Sequence, residues 1–515
     1  MCGILAILSN NRKNIVQILE SFNELQNRGP DSGSLVIRNE DILGFRRLAI
    51  VDQSIKGEQP FSTDKSRLLC NGEIYNHKEL REKNFIKCSS TSDCECIIHL
   101  HEMYGFKKML SKLHGVYAII LISDDIVYFA RDPIGVRPLF YGFTESGDFT
   151  LGSYARLLTN FCTNVTQLKP GWGQYNLREK TLELYPDIKI LETISVIPDL
   201  TIIKNTLINS VKYRLMSERP IGCLLSGGLD SSLITSILCH LVGPSNVRTY
   251  SVGIKGSEDL KYAKRVSDYL GTNHTEILFT PEQGCAVIED VIKDLESYDI
   301  TTIRASIPMW LLAKYISTNT KDIVLMSGEG ADELFCGYLY FHYAPNSKEL
   351  EKESKRLVQQ LYLYDVLRAD RCVSSHGLEL RVPFLDKKVV NLALSIHGKF
   401  KQPRYEIEKY LLRVAFKDDW LPEEVLWRRK DGMSDGVSGN KNKKWFEEIQ
   451  DFVNTKITNQ EFKIHKDKFP SKEAYYYKKV YNKLFPSYQP VYNYWLPKWI
   501  ECNGDPSGRI LPVFK

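Results

Sequence analysis

Three places in this chain carry side chains whose types and spacing could do covalent chemistry. The first is Cys2, in Met1-Cys2-Gly3-Ile4. Loss of the initiator methionine before a small residue would give Cys2 a free α-amine. With a pKa of about 7.7–8.0, that amine can take the thiol proton near neutrality without a histidine. Attack by such a thiolate on an acyl group passes through a tetrahedral oxyanion, which needs hydrogen-bond donors. Asn71-Gly72, in Asn71-Gly72-Glu73-Ile74-Tyr75-Asn76, sets a side-chain amide beside a backbone N–H just after an apolar strand.

The second is Ser226-Gly227-Gly228-Leu229-Asp230-Ser231-Ser232, which follows the apolar run Ile221–Leu225 and opens a helix. Glycines let the backbone approach a ligand, and the first amides and the dipole of the helix face anions. The loop lacks the lysine of a Walker sequence, so it suits a pyrophosphate portion held in another way. The third is Ser327-Gly328-Glu329-Gly330-Ala331-Asp332-Glu333. Its crowded carboxylates repel one another unless magnesium or proton transfer compensates. Nearby, Thr301-Thr302-Ile303-Arg304-Ala305-Ser306 offers hydroxyls and a guanidinium suited to a substrate carboxylate. The cysteines form no CxxC pair and the histidines no HExxH, which leaves reduced, buried thiols as the reading of the other cysteines.

The elements that must position these groups change character along the chain. Through residue 190, strand-length apolar runs recur at Ile4–Leu8, Leu35–Ile37, Ile42–Phe45, Leu68–Cys70, Val116–Ile122 and Val127–Ala130. Helical patterns near Asn14–Leu25 and Asp93–Met103 interrupt them, so sheets with helices packed outside are expected. The stretch 191–199 has no helical period and reads as a linker. From 200 to 515, helices alternate with short buried strands. A helix near 201–215 is followed by a strand at Ile221–Leu225, a helix at Leu229–Leu241, a strand at Val247–Val252 and a helix at Leu260–Leu270. A helix near Pro308–Thr318 then leads to a strand at Ile323–Met326. That alternation predicts a parallel sheet. Peripheral helices and a less regular tail are expected beyond about 400.

Bulk properties exclude several classes. The 515 residues exceed one ordinary core, and 43% hydrophobic with 25% charged residues is globular composition. A net charge of +5 gives no basic footprint for nucleic acid. No apolar stretch approaches the ~20 residues that span a bilayer, and no secretory leader is visible. The expected location is cytoplasmic.

Taken in order, Cys2-Gly3-Ile4, Arg28-Gly29-Pro30-Asp31, Arg47-Leu48 and Asn71-Gly72-Glu73-Ile74-Tyr75-Asn76 resemble the class II glutamine amidotransferase domain. That resemblance implies an α+β N-terminal nucleophile fold, an αββα sandwich. It implies Cys2 as nucleophile and Asn71 and Gly72 as oxyanion hole. It places glutamine against Arg47, Ile50, Val51, Asn71, Gly72, Glu73 and Asp93, with Arg47 on its carboxylate and Asp93 on its amine. The 226 loop resembles that of the ATP pyrophosphatases, an α/β doubly wound parallel-sheet fold that adenylates acids. It implies ATP binding by Leu225, Ser226, Gly227, Gly228, Asp230, Ser231, Val252, Gly253, Ser327, Gly328 and Lys430.

With Gly337-Tyr338-Leu339-Tyr340-Phe341-His342, Ser434-Asp435-Gly436-Val437 and Asp505-Pro506-Ser507-Gly508-Arg509, the second half resembles the asparagine synthetase family. The resemblance implies ATP-dependent amidation of aspartate through an aspartyl adenylate, with ammonia released from glutamine in residues 1–190. Thr301, Arg304 and Asp386 would bind aspartate. Glu329 would assist adenylation or deprotonate ammonia, Lys430 would neutralise pyrophosphate, and Asp230 or Asp332 would hold Mg2+. The expected partners are these small molecules, with a homodimer as the assembly and no nucleic acid or membrane. Tyr154 stands where such domains usually carry Glu, Phe45-Arg46 where His-Glu is usual, Cys336 where Gly is common, and Met433 where an aromatic is common. An amidating enzyme for another carboxylate is the rival reading. A non-catalytic relative is disfavoured by intact Cys2, Ser226–Asp230 and Glu329.

Overall fold

The computed structural model describes residues 1–8, 15–38, 41–186, 196–430, 432, 436–439, 443–490 and 494–500. Most of the linker stretch, Met433, Ser434, Asp435 and the segment Asp505–Arg509 lie outside them.

The first half is a four-layer α+β sandwich. One sheet runs in the order β10 (Cys162–Gln167), β8 (Phe140–Thr144), β9 (Phe149–Gly152), β1 (Gly3–Leu8), β3 (Asp41–Arg47), β2 (Ser32–Arg38). The other runs β12 (Thr181–Pro186), β11 (Gly171–Asn176), β7 (Ile126–Arg131), β6 (Gly115–Ser123), β5 (Ser66–Ile74), β4 (Phe61–Ser62). Pairing within both is antiparallel. The uninterrupted apolar run of β1 has a physical reason, because neighbouring side chains point to opposite faces. Ile4, Ala6 and Leu8 enter the layer between the sheets with Phe45, Ile120 and Leu151. Leu5 and Ile7 face outward onto Ile18 and Phe22 of the helix Ile15–Asn23 and Leu157 and Leu158 of the helix Ala155–Thr159. On the far side, the helices Cys96–Tyr104 and Phe106–Lys112 cover Leu68, Cys70, Ile119 and Leu121.

The second half is an α/β unit. Its parallel sheet runs β15 (Asn273–Leu278), β14 (Arg248–Gly253), β13 (Ile221–Leu224), β16 (Val324–Met326), β17 (Glu379–Arg381). The chain winds outward from β13 to β15 and then returns to add β16 on the other side of β13. Beyond the loops after β13 and β16 the chain leaves to opposite sides of the sheet, so the carboxyl ends of these two neighbouring strands are where a ligand crevice is expected.

One element differs from expectation in a way that matters for the site. The helix expected near Pro308–Thr318 begins at Ile300 and runs to Asn319, with Pro308 inside it. Asp299 starts it by accepting from Thr302 N at 2.8 Å. Pro308 has no N–H for the carbonyl four residues back. That carbonyl, of Arg304, accepts instead from Trp445 Nε1 at 3.1 Å. No helix of the described residues is long and apolar enough to cross a membrane.

Candidate active sites

Cys2 leads into β1, and Arg28 Nε donates to its carbonyl at 2.9 Å. Asn71 and Gly72 lie mid-strand in β5 opposite Ala118 and Tyr117. The Asn71 side chain is fully buried, and among the described residues neither its amide nitrogen nor its oxygen has a hydrogen-bond partner. An unpartnered buried amide costs about 1–3 kcal/mol, so it is a group held ready for a ligand. A Cβ on Gly72 would lie 2.2 Å from the Val116 carbonyl oxygen, so only glycine fits there.

The Arg47 guanidinium is aimed by the following turn, donating to the carbonyls of Ser54, at 2.7 Å, and Asp52. Asp93 accepts from Ile74 N at 2.6 Å, and burial pushes its carboxyl up to about 6. Glu73 is buried too, and its carboxyl is raised by burial and by the nearby Glu379 and Asp93, with Arg381 opposing. Ile50 departs from expectation. Its side chain packs with Leu48 on Val324 of the parallel sheet, and its carbonyl is taken by Glu218 N at 2.9 Å. The side chain is therefore turned away from glutamine, and only the backbone of Ile50 is left to meet it.

The second site is a cavity of about 300 Å³ at the carboxyl ends of β13, β14 and β16. Leu225, Ser226, Gly228, Asp230, Ser231, Val252, Thr301, Ser327, Gly328, Glu329, Asp332 and Lys430 all line it. Gly227 turns at φ +72° with its Cβ position filled by the Ala263 backbone, and its carbonyl accepts from Arg428 at 3.2 Å. A Cβ on Gly328 would sit 2.7 Å from the Ser231 nitrogen, so the two loops press together. Gly253 lies just outside the lining.

Two expectations at the aspartate end are corrected. Arg304 does not face the cavity; it is buried against Glu473, with bonds of 2.8 and 2.5 Å. Asp386 caps the helix Lys387–Ser395 and is held by Arg214 and His114, each at 2.7 Å, also away from the cavity. Beside Glu329 and Thr301 the cavity wall carries the guanidinium of Arg368, which pairs with Glu329 at 2.9 Å and Asp365 at 3.0 Å.

The carboxylates of the acidic loop part in character. Burial would raise Asp332, but Lys409 at 2.6 Å and Lys430 at 2.7 Å overcome it and hold the carboxyl at about 2. Glu329 and Glu333 are raised, chiefly by burial. Lys409 also pairs with Asp230. It is a cation the sequence reading missed, on a left-handed residue far along the chain.

Charged side chains join the two sites. Buried Asp370 takes Arg28 on one oxygen, at 3.0 Å, and Arg137 on the other, at 3.3 Å. Arg381 of β17 reaches Glu73 at 3.4 Å and bonds Glu379 at 2.7 Å, while its carbonyl accepts from Ser327 N at 3.0 Å. Tyr154, expected from the resemblance to stand in for Glu, accepts from Arg28 at 3.3 Å and has the Arg156 and Arg371 guanidinium carbons 3.9 and 4.2 Å from its ring centroid.

Comparison with known sequences matches residues 1–198 to the family model described as Glutamine amidotransferase domain, and residues 203–356 and 344–500 to that described as Asparagine synthase. Proteins named asparagine synthetase [glutamine-hydrolyzing] from Gallus gallus, Mus musculus and Homo sapiens are each 39% identical to this chain, over 100% of it and 99% of their own length.

Proposed function

The chain belongs to the glutamine-hydrolysing asparagine synthetases, and on that premise we propose which of its residues carry each half of the reaction. It makes asparagine from aspartate, using ATP and ammonia taken from glutamine. Residues 1–190 carry the glutaminase, 191–199 the connection and 200–515 the synthetase.

Cys2, freed of Met1, passes its thiol proton to its own amine and attacks the side-chain carbonyl carbon of glutamine. The oxyanion accepts from the Asn71 amide and Gly72 N–H, the amine returns the proton to departing ammonia, and water hydrolyses the thioester to glutamate. Arg47 holds the substrate carboxylate and Asp93 its ammonium; Val51 and Glu73 complete the enclosure. In the second cavity, a β-carboxylate oxygen of aspartate attacks the α-phosphorus of ATP and pyrophosphate leaves. Ammonia then attacks the acyl carbon, and AMP departs with the oxygen. The Ser226–Ser231 loop cradles phosphates, Lys430 offsets pyrophosphate charge, and Arg368 with Thr301 faces aspartate.

Asp230 suits Mg2+, since it lines the cavity and its Oδ1 is buried without a hydrogen-bond partner among the described residues; Asp332 would join it by giving up Lys409 or Lys430, which take its two oxygens. Bound there, the ion would neutralise phosphate charge. Free thiols at Cys70, Cys223 and Cys372 accord with a reducing, cytoplasmic setting. A homodimer is the expected assembly, to be read by light scattering.

The convergence of the loops after β13 and β16 on one cavity carries this reading, because adenylation needs phosphate and acid side by side. Aspartate labelled with heavy oxygen in its β-carboxylate tests it. Label should appear in AMP; ADP, or unlabelled AMP, would refute adenylation.

A further inference from the structure

The segment from Tyr494 to Ile500 comes back to the synthetase cavity, where Trp495 and Pro497 form part of the wall near Glu329 and Thr301. Its return is anchored. Asp299 is fully buried, and its two oxygens serve different neighbours. Oδ2 accepts from Thr301 Oγ1 and Thr302 N, both at 2.8 Å, and Oδ1 accepts from Trp495 N at 2.7 Å. One carboxylate thus starts the helix that lines the cavity and pins the segment that covers it. The Trp495 ring packs on Tyr338 and Tyr340, with centroids 5.6 and 6.2 Å away, and Trp499 continues the cluster onto Tyr340 at 5.9 Å. Tyr338 in turn donates to Glu333 at 2.7 Å and to Asp365 at 3.2 Å, and Asp365 pairs with Arg368, the partner of Glu329.

We propose that Trp495 shields the acyl-adenylate from water, so that the anhydride meets ammonia before it hydrolyses. The inference rests on the adenylation reading above. A mixed anhydride does not distinguish the two nucleophiles by itself. When water attacks the acyl carbon, the bond from that carbon to the AMP oxygen breaks. AMP leaves with the electron pair, the water protons go to solvent, aspartate is regenerated and one ATP is spent for nothing. A large apolar ring on the wall removes space where water would stand. Its backbone tie to Asp299 places the ring on the same framework as Thr301.

The test uses the full chain with ammonia as nitrogen donor and measures AMP and asparagine together. Wild type should give nearly one AMP per asparagine. Trp495→Ala should give several-fold more AMP than asparagine, and Trp495→Phe should return the ratio toward one. Glutaminase activity, read in parallel, should stay unchanged. If Trp495→Ala cost the fold, seen as lost glutaminase, Trp495→Leu with its smaller apolar side chain is read by the same ratio. A ratio of one in the shortened variants would overturn the proposal, and so would AMP and asparagine falling together. Absence of AMP in wild type would instead strike the adenylation reading.

Discussion

Glu329 and Arg368 form a 2.9 Å ion pair on the wall of the synthetase cavity, and burial raises the Glu329 carboxyl against the pull of that guanidinium. A carboxylate so placed can accept a proton from attacking ammonia or orient aspartate for adenylation. Glu329→Gln keeps size and removes charge. It should lower asparagine synthesis by ~100-fold or more, from glutamine and from ammonia alike, with glutaminase retained. Pyrophosphate exchange into ATP, with aspartate present and ammonia absent, separates the roles. Normal exchange favours the later step and lost exchange the earlier one; normal asparagine output would dismiss both.

Cys2→Ala should abolish glutamine-dependent synthesis and leave ammonia-dependent synthesis within about twofold, since a nucleophile is required only for the first half. Failure of free ammonia to rescue asparagine formation would undo the division of labour.

Processing at Met1 is a separate expectation. With Met1 present, burial pushes the Cys2 thiol up to about 11 and the Met1 amine down to about 5, and that amine donates to the Leu378 carbonyl at 3.3 Å. Such a thiol is almost wholly protonated at neutrality. Intact mass of active enzyme should therefore correspond to a chain starting at Cys2. Full activity with Met1 retained would contradict the mechanism.

The glutaminase should lose kcat/KM more steeply as pH falls through about 6, beyond the slope that protonation of the Cys2 amine gives at higher pH. Asp93 must be ionised to hold an ammonium group, and burial lifts its carboxyl to about 6. Asp93→Asn should raise the KM for glutamine above pH 6, where wild-type Asp93 is charged, converge with wild type below it, and remove this limb. A wild-type profile with no added loss between about pH 6 and 5 would separate Asp93 from substrate binding.

Glu473→Gln should cost about 3–5 kcal/mol of stability by stranding buried Arg304. The KM for aspartate should stay within about twofold in denaturant-titrated, folded enzyme, because Arg304 lies outside the cavity. A large rise in that KM without destabilisation would restore Arg304 to the substrate.

What the sequence disclosed follows from burial and chemistry. The β1 run was legible because both of its faces are covered, whereas β10, Cys162-Thr-Asn-Val-Thr-Gln, is an edge strand whose polar side chains hide it. The 226 loop and Glu329 stood out by their density of glycines and carboxylates, and the structure brings them to one cavity; Cys2 and Asn71 stood out by position and by their neighbours in the sequence. Arg304 was misplaced through the helix start. With Ile300 as first residue, Thr301, Ala305, Met309 and Leu312 make the stripe along the cavity, and Arg304 stands beside it. A helix begun at Pro308 conceals that stripe. Lys409 and Trp495 reach the cavity only through tertiary folding and gave no local signal. Two half-buried aspartates, Asp230 and Asp332, in need of cations were the available hint at Lys409.

Asp370 is enclosed with Arg28 on one oxygen and Arg137 on the other, and both arginines come from the amidotransferase half. The two catalysts are therefore separable as reactions but not as parts. Expressing the synthetase half alone would leave an anion shaped for two absent cations, and expressing the other half would leave those cations facing water. A chimera built by exchanging halves with a relative inherits the same condition: the aspartate and its arginines must travel together, or the joined protein begins life with a charge fault at its seam.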